Sequence, residues 1–245
     1  MSATSALVLY FAGVVAGFVN TVAGGGSAIT LPVLTELVNA NVANGTNRVA
    51  IFVANLVASL GFEKDRKVPW GTVKPLIPAA FIGAAAGAWA ATLLSPGAMR
   101  RVFAIVLVMI AASVLANPNR WLAEQHARLE QPWTSVVFVA IGFYGGFVQA
   151  GVGFMLLAGL VFGAGLDLVS GNAAKVVIIF SYTTVALGLF VLAGQVDFGL
   201  GLVLAAGNST GAWISARLAV RKGAGWVRWV LVVAAVGAAI RMLFF

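Results

Sequence analysis

Gly17-Phe18-Val19-Asn20 returns later in the chain as Gly146-Phe147-Val148-Gln149. Each copy runs into a glycine cluster, Ala23-Gly24-Gly25-Gly26 in the first and Ala150-Gly151-Val152-Gly153 in the second. Arg48-Val49 then returns as Lys175-Val176, 127 residues on (175 − 48), about half of the 245-residue chain. Further matches follow at an offset of 128 (195 − 67): Lys67-Val68-Pro69-Trp70-Gly71 with Gln195-Val196-Asp197-Phe198-Gly199, and Gly83-Ala84 with Gly211-Ala212. Arg100 and Val102 lie opposite Arg228 and Val230 at the same offset. A near-constant offset over most of each half predicts a duplicated architecture. A matched pair of glycine-broken apolar segments is the pattern of a binding site between repeats of a membrane protein.

The solvent follows from composition. The chain is 61% hydrophobic and 9% charged, against about 25% charged in a soluble domain. Mean hydropathy is +1.02, so too little polar surface exists to coat a water-soluble globule. The expected fold is therefore an all-α polytopic membrane protein. The absence of cysteine removes disulfides, thiolate metal sites and cysteine nucleophiles. The single histidine, His126, falls in the polar stretch Asn117–Pro132 and reads as a solvated loop residue. The +8 net charge comes mostly from basic residues at the ends of apolar runs. There they meet lipid head groups and set orientation, so nucleic acid is not an expected partner.

Ten apolar runs are legible, five per half. They are Ser5–Val22, Ser27–Val38, Val42–Leu60, Val73–Leu94 and Val102–Ala116, then Trp133–Gln149, Phe154–Ala164, Val169–Ala193, Phe198–Val220 and Val227–Phe245. A spanning helix needs roughly 20 apolar residues. The second run of each half is much shorter and sits directly behind the glycines. The expectation is two five-segment repeats, with about eight full spans and two short re-entrant or broken helices. The first repeat covers residues 1–116, a polar connecting loop 117–132, and the second repeat 133–245. Leu7–Val22 lacks the basic n-region of a signal peptide, the first basic residue being Arg48; it reads as a retained first membrane helix.

Each short run either completes a crossing or returns to the side it came from. Four crossings per half would make the repeats parallel, and five would make them inverted. The basic loops at Arg100-Arg101 and Arg221-Lys222 match in position, which favours parallel repeats with both loops cytoplasmic and both termini outside. Trp70, Trp121, Trp133, Trp226 and Trp229 fall at run ends and read as interfacial anchors.

Three successive glycines cannot sit quietly inside a helix, since each costs about 1 kcal/mol relative to Ala. Gly24, Gly25 and Gly26 suit a tight turn with exposed N–H groups, and Ser27 reads as the N-cap of the short helix. Such a helix start favours anions. The plain alternative is that the glycines only allow close helix packing. Two repeat-related clusters, each preceded by an amide side chain, favour the site. Pro32 is open between a kink and a first-turn position.

A second constellation, Asn44-Gly45-Thr46-Asn47-Arg48, faces Gly171-Asn172-Ala173-Ala174-Lys175. Both open a long apolar helix and carry a cation, Arg48 or Lys175. Snorkelling to head groups is the bland reading; duplication beside the glycine turns favours a shared anion pocket. The candidate substrate-binding residues are Asn20, Thr21, Gly24, Gly25, Gly26, Ser27, Thr46, Asn47, Arg48, Gln149, Gly151, Gly153, Asn172 and Lys175. Backbone N–H groups of Gly24–Ser27 and Gly151–Phe154 are expected to meet substrate oxygens, with Asn20, Gln149, Thr46 and Asn172 orienting them. Glu36 and Asp167 follow the short runs and are candidates for a proton carrier or for helix-end groups. Asn55, Tyr182, Asn208 and Ser209 are further polar residues within apolar runs. With no cysteine, one loop histidine and seven acids, the chain does not read as an enzyme. No metal or cofactor is called for.

Gly13–Leu34, Gly45–Leu60 and Gly142–Gly171, within a repeat layout spanning nearly the whole chain, resemble the TauE/SafE family of membrane permeases, the sulfite exporter or toluene-sulfonate uptake permeases. The resemblance implies an internally duplicated bundle of about eight spans in a bacterial inner membrane. It also implies transport of a small anion, sulfite, sulfonate or a related organosulfur compound. The expected partners are that anion and membrane lipids, with a homo-oligomer left open. An anion-selective channel built from the same re-entrant segments is the alternative. The second copy departs from the first, since Val152 and Phe154 stand near a full glycine run and Gly159 replaces the counterpart of Pro32. Unequal half-sites are expected.

Overall fold

The computed structural model describes residues 3–23, 25–116 and 132–222. His126, Trp121, Trp226, Trp229, Gly24 and the run Val227–Phe245 lie outside them. Among the described residues the fold is helical, with no strand. The helices are α1 (Ala3–Ala23), α2 (Ser27–Thr35), α3 (Ala40–Lys64), α4 (Trp70–Thr92) and α5 (Pro96–Ala116). The later ones are α6 (Trp133–Phe147), α7 (Val152–Ala158), α8 (Leu168–Leu192) and α9 (Phe198–Lys222), with a π-helical turn at Gly159–Gly163 after α7. Among the described residues four helices are long and apolar enough to cross a membrane: α1 over Ala3–Asn20, α3, α4, and α8 over Val169–Leu192. Apolar side chains such as Ile82 (64% exposed) and Leu192 (86%) cover the outside, as lipid rather than water requires.

The starts of two helix pairs obey the spacing read from the sequence. α3 and α8 are each 25 residues long and begin 128 residues apart (168 − 40); α4 and α9 begin at the same interval (198 − 70). The caps agree too. The Asn39 side chain accepts from the N–H groups of Asn41 and Val42, and the Asp167 side chain accepts from Val169 and Ser170. Glu36, the residue first paired with Asp167, instead caps the C-terminal end of α2.

Packing interlocks the two halves. The dominant helix pairs are α1 with α9 and α4 with α6, followed by α4 with α8, α3 with α8 and α3 with α9. Small residues permit the closest crossings. A Cβ on Gly17 would strike the Asn208 carbonyl, one on Gly211 the Val14 carbonyl, one on Gly83 the Val139 carbonyl and one on Gly146 the Ala84 carbonyl.

These contacts fix directions. Tyr10 bonds Thr210 and Val14 meets Gly211, so α1 and α9 are parallel. Thr46 takes the Asp197 N–H and Val49 packs on Gly201, so α9 is parallel to α3. Gly45 lies by Phe190 while the Phe52 and Phe180 rings sit 5.0 Å apart, so α3 and α8 are antiparallel. Asn41 at the start of α3 donates to the Leu94 carbonyl just past α4, so α4 also opposes α3. Ala80 and Ala84 meet Gly142 and Gly146 in order, so α6 is parallel to α4.

This overturns the expectation of parallel repeats. Helices at equivalent positions run in opposite directions, and the basic segments lie at opposite ends. Arg100-Arg101 follow the end of α4, beside the start of α3, whereas α9 carries Arg221-Lys222 to the far end. The matched charges misled because both follow the fourth long helix of their half, and the fourth helices are antiparallel. Each short helix takes the chain back toward the face from which the preceding helix set out, which is the five-pass case. Ser27 and Thr30 both bond Asn47, and the chain then reaches the start of α3 within a few residues. α2 therefore runs against α3, and so against α1.

Candidate functional site

The two helix breaks face one another across a small polar cavity of about 10 Å³, room for about one water molecule. Its walls are Asn20 of α1, Ser27 of α2, Ile51 and Asn55 of α3, Gln149, Val152 and Gly153 of the second break, and Ile179 of α8. Four of these, Asn20, Ser27, Gln149 and Gly153, are candidates from the sequence. Ile51 and Ile179 stand 128 residues apart (179 − 51) on the two facing helices.

At the first break the reversal occurs at Gly25-Gly26, both buried. Gly26 occupies the N-cap position of α2 and has no side chain to cap with, so Ser27 is the first helical residue and not the cap. Its Oγ accepts from Asn47 Nδ2 at 3.1 Å, and Asn47 Oδ1 accepts from Thr30 Oγ at 2.7 Å. Asn47 thus clamps α2 onto α3. Pro32 lies beyond the first turn of α2. Gly24 and the side chain of Thr21 lie outside the described residues.

At the second break Gly151 has φ +74° and Gln149 has φ +71°. The left-handed region suits glycine but is uncommon for a residue with a side chain. Gln149 is held there by its own side chain: Oε1 accepts from Arg48 at 3.1 Å, and Nε2 donates to the buried Tyr182 hydroxyl at 3.1 Å. The Tyr144 hydroxyl closes the turn by donating to the Ala150 carbonyl. Two N–H groups expected to face substrate are used internally: Val152 donates to Gln149 O at 3.3 Å and Phe154 to Gly151 O at 3.1 Å.

Arg48 is completely buried. Its guanidinium donates to the carbonyls of Gly145 (3.0 Å) and Gly146 and to Asn44 Oδ1 (3.4 Å), besides Gln149, and lies 4.7 Å from the centroid of Phe190. Asn44 donates to the Phe147 carbonyl at 2.8 Å. The last carbonyls of α6, which no turn of helix can satisfy, are therefore capped from α3. The guanidinium also balances the partial negative charge of that helix end. Thr46 is turned away from the cavity, its Oγ accepting the Asp197 N–H at 2.9 Å.

Lys175 is also buried, 5% exposed. It is the eighth residue of α8, as Asn47 is the eighth of α3; by helix register it matches Asn47 and not Arg48. Asn172, one turn earlier, is half-buried. The sequence argument passed over Asn44, Tyr144 and Phe190. Asn44 stands in the quoted constellation, but nothing in the pattern separates a side chain capping another helix from one facing a ligand.

Polar groups gathered at two buried helix breaks inside an apolar helical bundle define a polytopic membrane protein of the transporter class. A family model described as sulfite exporter TauE/SafE matches residues 9–242, and the chain belongs to that family. It is 29% identical over 237 residues to the probable membrane transporter protein ORF9 of Sinorhizobium sp, covering 96% of this chain and 91% of the relative. It is 26% identical over 240 residues to the probable membrane transporter protein YfcA of Escherichia coli (strain K12), covering 97% and 89%. A Haemophilus influenzae probable membrane transporter protein is 28% identical over 229 residues, covering 92% and 89%. No solved structure matches the chain.

Proposed function

We propose that this chain is a multi-pass permease of the bacterial inner membrane that carries a small oxyanion, sulfite, a sulfonate or a related organosulfur anion, by alternating access. The family description supports the substrate class. The observation that carries the mechanism is the cavity, whose walls bring Asn20 and Ser27 from one break together with Gln149 and Gly153 from the other. A ligand there would touch both halves at once, and a movement of one half against the other would transfer access between faces.

The halves, residues 1–116 and 133–245 joined by 117–132, are inverted repeats in this reading. The 128-residue spacing of helix starts and caps supports the repeat, and the opposed directions of α3 and α8 support the inversion. Inverted repeats are related by an axis in the membrane plane, and Phe52 and Phe180 meet where such an axis would pass. Lys64, Arg66, Lys67 and Lys74 gather at the end where α3 finishes and α4 begins. The positive-inside rule makes that end cytoplasmic and places the start of α1 on the opposite face.

Purified protein in liposomes tests this reading. Uptake of labelled sulfite or sulfonate should saturate and show counterflow. Unsaturable flux without counterflow would instead mark the anion-selective channel, and no flux of any such anion would sink both.

A further inference from the structure

The two cations buried among the described residues do different things. Arg48 spends its two terminal nitrogens inside the protein, on two carbonyls of α6, Gln149 and Asn44, with its guanidinium over the ring of Phe190, while its Nε has no partner among the described residues. Every one of these partners belongs to the scaffold around the second break. Lys175 has no hydrogen bond or ion pair among the described residues, although it is buried.

Its direction follows from register. Gly171, one turn earlier, faces Leu157 of α7 and Val161 of the π-helical turn, at 3.2 and 3.4 Å from where a Cβ would stand. α7 runs against α8, so the same face of α8 one turn later meets the beginning of α7. That is the break itself, where Val152 and Gly153 line the cavity; Lys175 stands one turn before Ile179, the α8 residue of the lining, and is not itself part of it. At the matching place in α3, Asn47 bonds Ser27 and Thr30 at the beginning of α2. The first break is thus clamped by a neutral amide, and the second carries a cation that has no partner among the described residues.

A buried charge without a partner is costly, and an arriving counter-charge relieves that cost. We infer, resting on the permease reading, that Lys175 is the one protein charge offered to the substrate. Arg48 is a positioning residue that builds the second break. The site then takes a singly charged oxyanion in preference to a dianion. The one free cation among the described residues neutralises one negative charge, while a second would remain uncompensated in the apolar interior. The half-sites are unequal in a definite sense: the first supplies amide and hydroxyl groups, the second supplies charge.

Thermal unfolding of the full chain in lipid nanodiscs at constant ionic strength tests this, with methanesulfonate as the monoanion and sulfate as the dianion. A ligand that binds only the folded state raises the midpoint. Wild type should be stabilised by methanesulfonate well below the concentration at which sulfate acts. Lys175→Gln should melt no lower than wild type without anion, yet need about ten-fold or more methanesulfonate for the same rise, the loss expected for one charge-assisted hydrogen bond. Lys175→Arg should recover most of it. Arg48→Gln should melt lower with no anion present, because it uncaps α6. A wild-type response in Lys175→Gln, or equal responses to the two anions in wild type, would overturn the assignment. If Lys175→Gln does not fold, Lys175→Met replaces it, read by the same midpoints. A wild type that responds to neither anion and carries neither in liposomes fails the permease reading itself, a result seen without any variant.

Discussion

Asp167 shows how place decides what a charged side chain does. In the sequence it is an acid beside a short apolar segment, a candidate proton carrier. In the fold it is exposed and caps α8, accepting from the N–H groups of Val169 at 2.9 Å and Ser170 at 3.0 Å. A hydrogen bond from the Ser170 side chain first, then those from the Ser170 and Val169 N–H groups, hold its carboxyl below the usual carboxylate range. A carboxylate lowered by folding contributes stability that is fully present above its unfolded pKa of about 3.9. That contribution is lost as pH falls through the lowered folded value. Asp167→Ala should therefore cost about 1 kcal/mol at neutral pH, seen as a lower melting midpoint. Asp167→Asn keeps an acceptor, as Asn39 does at the start of α3, and should remain close to wild type. The difference between Asp167→Ala and wild type should shrink on acidification below about pH 4. A difference that grows instead would contradict the cap.

The helices are packed by what their glycines lack. α1 crosses α9, and α4 crosses α6, so closely that backbone lies on backbone. A side chain there has nowhere to go. Gly83→Val would drive a branched side chain into the Val139 carbonyl, and should cost about 3 kcal/mol or more, beyond ordinary overpacking. Gly188 of α8 is the control: it is exposed and nothing lies within 4 Å of an added Cβ. Gly188→Ala should be neutral or should stabilise by up to about 1 kcal/mol, the helix-propensity gain. Melting midpoints of the two variants in the same lipid make the comparison. A tolerated Gly83→Val would mean that α4 and α6 are not in contact as described.

At the scale of the whole molecule the open test is which ends share a face. The chain has no cysteine, so single cysteines report without background. Gly97 and Ala193 lie just past the ends of α4 and α8, where Gln195 donates to the Thr92 carbonyl and Asn41 to that of Leu94. Gly71 begins α4 at the other end, where α9 also finishes. In intact cells a membrane-impermeant maleimide should treat Gly97→Cys and Ala193→Cys alike, and Gly71→Cys and Lys222→Cys alike, with the two pairs opposite. Parallel repeats require Gly97→Cys and Lys222→Cys to label together. The positive-inside rule adds that the accessible pair is Gly97→Cys and Ala193→Cys.

Composition and hydropathy alone determined the membrane class, and the glycine pairs located the two breaks. The runs also located the long helices closely: Val169–Ala193 became α8, Leu168–Leu192, and Val73–Leu94 became α4, Trp70–Thr92. These features depend on local burial and chain stiffness, which neighbouring residues set. Asn20, Ser27, Gln149 and Gly153, which line the cavity, were legible as residues of the two breaks because polar groups and glycines together at a helix break stand out in an apolar chain. The direction of the second half was not legible. It turns on whether Ser27–Thr35 and Val152–Gly163 carry the chain back to the face it started from, and a short apolar segment has the same hydropathy either way. Arg48 was equally opaque. Its partners lie about a hundred residues away, on the end of α6, and only tertiary structure brings that helix end to it. The difference between Arg48 and Lys175 is therefore one of surroundings: one cation meets carbonyls, the other none among the described residues.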